Sequence, residues 1–175
     1  FLNDEPKVKT NYTKLYSETM FLEDNVKVES TKSKIFDNGS LKDKITLVFF
    51  GYTSCPDFCP DTLARANNIF KNLDHSNLQL LFVSIDPKDD LDVIKKYVEY
   101  FNKDFIGVSI NDKNIKKLVK KTGVYAKKVS STGSIDFYDH TGAIFLINRD
   151  SKVMGLYTPP IKDELIISDL KRITN

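Results

Sequence analysis

A chain of 175 residues, 41% hydrophobic and 29% charged, is long enough to bury a core without metal or disulfide staples, and one domain is the default count. Its 26 basic and 24 acidic side chains leave a formal charge of +2, too balanced to single out nucleic acid or an anionic membrane as partner. The longest apolar run, ITLVFFGY from Ile45, falls far short of the ~18 residues a membrane span requires, so no spanning helix is expected.

Residues 1–16 are polar and irregular, with Pro6 the only rigid element, and read as a linker. Because the sequence starts at Phe1 rather than at methionine, an upstream signal or membrane anchor is expected to have preceded it. Residues 17–175 read as a single domain. It opens with TMFLEDNVKVES, two short strand-like runs around the turn Glu23-Asp24-Asn25, hence an N-terminal β-hairpin extension. ITLVFF, from Ile45 to Phe50, is a continuous run of branched and aromatic residues, as expected of a strand buried on both faces.

The segment GYTSCPDFCP, residues 51–60, follows and holds both cysteines of the chain. Beyond it Leu63, Ala66, Phe70 and Leu73 recur at helical spacing, and Pro60 suits the first helical position, where its missing N–H would have had no partner. LQLLFVSI from Leu78 predicts a second buried strand, and Leu91, Ile94, Val98 and Phe101 an amphipathic helix. FIGVSI predicts a third strand, and NIKKLVKKTG a third helix ending at Gly123. Such βαβαβα alternation implies parallel strands. GAIFLIN and KVMGLYT, separated by Arg149-Asp150-Ser151, then form a hairpin, and IKDELIISDLKRI closes the chain as a helix. The expected fold is α/β, a mixed central sheet flanked by helices, with the Phe145 strand antiparallel to both its hairpin partner and the Ile45 strand.

In that topology three features meet at one rim. The cysteine loop follows the carboxyl end of the first buried strand, Asp86 follows that of the second, and His140 precedes an antiparallel strand starting at the same edge. Open α/β sheets bind ligands there. A thiol at the start of the helix that Pro60 opens gains from unpaired N–H groups and the positive dipole end, which favours a Cys59 thiolate. Were the loop helical, four residues at 1.5 Å rise would separate the two Cα atoms by ~6 Å, within disulfide range. Two thiolates are also soft ligands, which select Cu(I) or, with four ligands, zinc. His75 lies beyond a helix, ~20 Å from Cys59, and reads as a solvated loop residue. Cys55, Cys59 and His140 remain, a three-coordinate set matched to copper and short of structural zinc unless a carboxylate joins.

Plainer readings compete. A lone cysteine pair also fits a structural disulfide, and spacing alone does not decide. His140 in YDHTG fits a turn residue, and Asp86 before Pro87 fits a helix cap. KKLVKKTGVYAKK, with six lysines in thirteen positions, fits a solvated helix face before it fits a docking patch. No phosphate loop, carboxylate pair or serine triad is visible.

GYTSCPDFCPDTL, FVSIDPKDD, YFNKDFIGVS and DHTGAIFLI, in that order across about residues 20–172, resemble the Sco/SenC family of copper metallochaperones. The resemblance implies a thioredoxin-like fold, an N-terminal membrane tether, and delivery of copper to the dinuclear copper site of cytochrome c oxidase. The copper-site subunit of that oxidase, other copper chaperones and thiol reductants are then the implied partners. The implied location is the bacterial periplasm at the inner membrane, or the mitochondrial inner membrane facing the intermembrane space. Ligand roles carry over to Cys55, Cys59 and His140, and Asp86 matches an acidic position behind the site or in partner docking. Ser54 stands where many relatives carry histidine, which leaves the surroundings of Cys55 open. A thiol:disulfide oxidoreductase acting on a partner's copper-ligating cysteines is the alternative from the same two sulfurs.

Overall fold

The computed structural model describes residues 10–14, 19–73, 76–124 and 126–174. The elements are β1 (Thr13–Lys14), α1 (Asn38–Leu41), β2 (Ile45–Gly51), α2 (Phe58–Lys71), β3 (Leu78–Ser84), α3 (Leu91–Phe101) and β4 (Ile106–Ser109). There follow α4 (Lys113–Lys121), β5 (Ala126–Thr132), β6 (Ile135–His140), β7 (Ile144–Ile147), β8 (Val153–Tyr157) and α5 (Asp163–Thr174).

The main sheet has the order β1-β8-β7-β2-β3-β4. β2, β3 and β4 are parallel, whereas β7 runs antiparallel to both β2 and β8, as the sequence pattern implies. β2 and β3 pair from Ile45 with Leu78 to Gly51 with Ser84, and every residue of both strands is buried. That double burial is why they lack polar alternation. Phe49, Phe50 and Phe82 are fully enclosed, each burial stabilising by about 1.5–3 kcal/mol. The register opposes Phe49 to Ile144, so the start of β7 lies beside the carboxyl end of β2. A cysteine loop leaving β2 and a histidine just before β7 therefore share one edge.

Helix ends follow local chemistry. The Asp90 and Asp112 carboxylates accept the N–H groups of Val93 and Asn114, satisfying first-turn donors of α3 and α4. α2 packs on α3 and α5 and buries Leu63, Ala66, Ile69 and Phe70. It begins at Phe58, so Pro60 is its third residue rather than its first; any amide of the first turn lacks an intrahelical acceptor, and proline is tolerated throughout it.

Residues 19–30 turn at Glu23–Asn25 as expected, with the Val26 N–H donating to the Glu23 carbonyl, but the two flanking runs do not pair with each other. Met20 bridges Lys152 and Val28 bridges Phe36, which lets Phe21, Leu22 and Val28 bury against the main body. Within the stretch read as a linker, Tyr12 is buried, Thr13–Lys14 extend the sheet beside β8, and the Asn11 N–H donates to Asp169. β5 and β6 form a separate antiparallel hairpin turned by Gly133 and Ser134, an element absent from the sequence-based expectation. Gly133 has φ +60, the left-handed region that a tight hairpin turn requires. Among the described residues no helix is long and apolar enough to cross a membrane.

Candidate metal centre

β2 ends on a glycine because of what lies behind it. A Cβ on Gly51 would stand 2.9 Å from the Cys59 sulfur and 2.9 Å from the Phe82 ring. The chain then passes through Tyr52, Thr53 and Cys55 before α2 begins. Thr53 is fixed by the buried carboxylate of Asp89, which accepts its N–H at 2.8 Å and its hydroxyl at 2.5 Å. Asp89 also accepts the Ser84 hydroxyl at 2.6 Å, and its carbonyl accepts that of Ser109, so one residue ties the thiol loop to the ends of β3 and β4.

Cys59, the second residue of α2, is fully buried, while Cys55 is half-buried at the mouth of the site, and both thiols are free. The Cys59 N–H donates to the Cys55 sulfur at 3.3 Å. The helix N-terminus therefore stabilises charge on Cys55, where the sequence pointed to Cys59. The hydrogen bond from the Cys59 thiol lowers the Cys55 pKa to about 4, against burial and with help from His140 and backbone N–H groups. The same hydrogen bond, with deeper burial, pushes Cys59 up. The pair shares one proton, and it rests on Cys59.

His140 ends β6 and reaches back over the dithiol. Its Nε2 lies 3.6 Å from the Cys59 sulfur, and its Nδ1 is 3.2 Å from the carbonyl of Thr141. In the tautomer whose Nδ1 donates to that carbonyl, Nε2 faces the thiols with a lone pair free for a metal. Phe49, Tyr52 and Phe58 surround the imidazole, with ring centroids at 6.3, 5.9 and 5.9 Å. The candidate ligand atoms of Cys55, Cys59 and His140 all lie within 4.8 Å of one another. Above them opens a cleft of about 400 Å³ bordered by Tyr52, Pro56, Phe58, Tyr138, Asp139 and Pro159.

Asp86, the fourth residue singled out from sequence, is buried at the same rim but stands outside this cluster. Its Oδ1 accepts the Tyr138 hydroxyl at 3.1 Å and the Lys88 N–H at 2.9 Å. Tyr138 in turn donates its N–H to the Tyr52 hydroxyl. Asp89, Tyr52 and Tyr138 were not legible as site residues. SIDPKDD carries three carboxylates, and only burial distinguishes Asp89 from Asp90. His75 lies outside the described residues.

A dithiol at a helix N-terminus, on the carboxyl edge of a mixed sheet in this order, with an imidazole folded over it, defines a thioredoxin-like α/β protein bearing a Cys2His cluster. The chain belongs to the SCO1/SenC family, whose model matches residues 19–175. It is 31% identical over 158 residues to a SCO2-like protein of Rickettsia felis, an alignment covering 84% of this chain and 77% of the relative. ScoI of Bradyrhizobium japonicum, solved with copper bound, superposes with a TM-score of 0.75 at 33% identity, over 84% of this chain and 96% of that one. BsSco, described with a disulfide switch and as a member of the Sco family of cytochrome c oxidase assembly proteins, shares the fold. Its TM-score is 0.62 at 22% identity, covering 86% of this chain and 94% of that one.

Proposed function

We propose that this protein carries copper: Cys55, Cys59 and His140 hold Cu(I) at the mouth of the cleft and pass it by ligand exchange to a partner. The observation carrying this reading is the convergence of two sulfurs and one basic nitrogen within 4.8 Å beneath an open cleft. Soft thiolates with one imidazole suit three-coordinate Cu(I), whereas a structural zinc site needs a fourth ligand. Among the described residues no carboxylate joins that cluster: Asp86 is engaged by Tyr138 and Lys88, Asp89 by Thr53 and Ser84, and Asp57 and Asp139, which border the cleft, stand outside the group of close ligand atoms. A carrier must expose its cargo to an incoming ligand, and Cys55 is the half-buried member of the pair.

The copper-bound relative and the description of BsSco as one of the cytochrome c oxidase assembly proteins support that oxidase as the destination, and its dinuclear copper site is the recipient that the family resemblance implies. Other copper chaperones or thiol reductants would load and reset the site. An N-terminal tether would hold the domain in the bacterial periplasm or the mitochondrial intermembrane space, beside that oxidase. Oxidation of Cys55 and Cys59 to a disulfide removes both sulfur ligands, so loading requires the reduced pair. Copper bound per chain, measured anaerobically, is expected near one ion for reduced protein and near zero for the disulfide form. Equal loading of the two forms would reject the ligand set.

One observation favours a second activity on the same atoms. Cys55 holds the lowered pKa and is the more accessible of the two, and Cys59 is the buried thiol behind it. In a thiol:disulfide oxidoreductase the Cys55 thiolate attacks a partner disulfide and releases one partner thiolate. Cys59 then attacks the mixed disulfide, freeing the second partner thiol and leaving Cys55–Cys59 oxidised. Reduction of a disulfide-bonded copper-site peptide by the reduced chain, retained in His140→Ala, is the result that supports this reading; no reduction removes it.

A further inference from the structure

β6 leaves the tip of its hairpin and runs towards the thiols with Asp136, Tyr138 and His140 on one face, since alternate residues of a strand point the same way. Each meets a different part of the rim. Asp136 is buried, accepting the Lys88 ammonium at 2.8 Å, the Lys128 ammonium at 2.9 Å and the Ser131 hydroxyl at 2.7 Å. Lys88 also donates to the carbonyl of Ser134 at the hairpin turn. Tyr138 gives its hydroxyl to Asp86 and its N–H to Tyr52, and His140 faces Cys59. The rest of the hairpin is largely bare to solvent, with Val129 60% and Ile135 44% exposed.

Among the described residues β5 and β6 pair only with each other and add no strand to the main sheet. An isolated two-stranded hairpin is marginal in water, so its placement depends on side-chain contacts to the body. Two of those contacts converge on the short turn after β3. Asp86 receives Tyr138 and, through the Lys88 N–H, shapes the turn that presents Lys88 to Asp136.

We propose that Asp86, Lys88 and Tyr138 are positioning residues that dock the β5–β6 hairpin on the β3–α3 turn and thereby set the distance from His140 to the dithiol. The inference deepens the copper reading and rests on it for its effect on metal. It gives Asp86 a task distinct from ligation: the carboxylate acts through Tyr138 on the imidazole two residues further along the strand.

The test is a double-mutant cycle on the full reduced chain, with Cu(I) affinity measured by anaerobic competition against a chromogenic chelator. Tyr138→Phe removes one oxygen and keeps the ring that packs edge-on against Tyr52. It is expected to weaken Cu(I) about tenfold, the lower end of what losing an outer partner of a metal ligand costs. In a His140→Ala background the same substitution is expected to have no further effect. Lys88→Met should weaken binding in the same sense and Lys88→Arg should retain it.

Wild-type affinity in Tyr138→Phe, or an equal loss with and without His140, overturns the proposal. A copper-independent readout separates it from the ligand assignment: NMR contacts of the His140 ring with Tyr52 and Phe58 in the metal-free protein are expected to weaken in Tyr138→Phe. Unchanged ring contacts overturn the docking role whatever copper does. Wild-type affinity in His140→Ala overturns the ligand assignment, and docking is then judged by the ring contacts.

Discussion

The two halves of the site are held by different forces. The dithiol sits where β2 meets α2, with Gly51 crowded between the Cys59 sulfur and the rings of Phe49 and Phe82, and Cys59 has no exposed surface. The imidazole packs among Phe49, Tyr52 and Phe58 but rides on a hairpin whose outer face is solvated and whose polar attachments include an ion pair, a bond from Lys88 to the Ser134 carbonyl, a tyrosine hydroxyl and a main-chain bond to the Tyr52 hydroxyl. Core packing allows little adjustment without a large cost, whereas a polar clasp can yield at modest cost. The sulfurs are therefore the more fixed part of the proposed centre and the histidine the more adjustable part, a division that would suit the proposed carrier role.

Perturbing the fixed half should have the largest effects. Cys55→Ser or Cys59→Ser removes one of the proposed ligands outright, and Cu(I) affinity by chelator competition is expected to fall by more than the ~10–100-fold that loss of an outer partner costs. Gly51→Ala places a methyl group 2.9 Å from both the Cys59 sulfur and the Phe82 ring. Overpacking of this kind costs about 1–3 kcal/mol, to be seen as a lowered Tm in the metal-free protein. The electrostatic difference within the pair gives a smaller and graded effect. Carboxymethylation of Cys55 should proceed at a nearly constant rate as pH falls from neutrality towards about 4 and slow only below it, because the thiolate persists until that value. Cys59 should stay unmodified over the same range, since its thiol is buried and its pKa is raised. The smallest effect on stability belongs to the adjustable half. Lys88→Met breaks a pair whose cation is 54% exposed, so unfolding should shift by no more than about 1 kcal/mol.

The same division explains what could be read from the sequence. ITLVFF, LQLLFVSI and the cysteine loop are local signals, since burial on both faces is written as a continuous apolar run. They located β2, β3 and the start of α2, and with GAIFLIN they placed the rim. The β5–β6 hairpin carries weaker marks. Gly133-Ser134 is a turn signal, but the run before it is mostly lysine, serine and threonine, and the apolar points Ala126, Val129, Ile135, Phe137 and Tyr138 do not alternate regularly, so its period is faint. The 19–30 runs failed differently: their strand character is real, but their partners, Lys152 and Phe36, are set by tertiary packing. The Cys59 expectation failed because a helix N-terminus favours whichever sulfur its N–H groups point at, and here that is Cys55. Asp89 was hidden among neighbouring carboxylates, since burial is a property of the fold and not of the SIDPKDD segment.

The coordination of the bound ion tests the centre most directly. X-ray absorption at the copper edge of anaerobically loaded protein should show a three-coordinate Cu(I) with two sulfur neighbours and one nitrogen, and the nitrogen contribution should vanish in His140→Ala. A sphere of sulfur alone in the unaltered chain, or a nitrogen that persists without His140, would contradict the Cys55, Cys59 and His140 assignment.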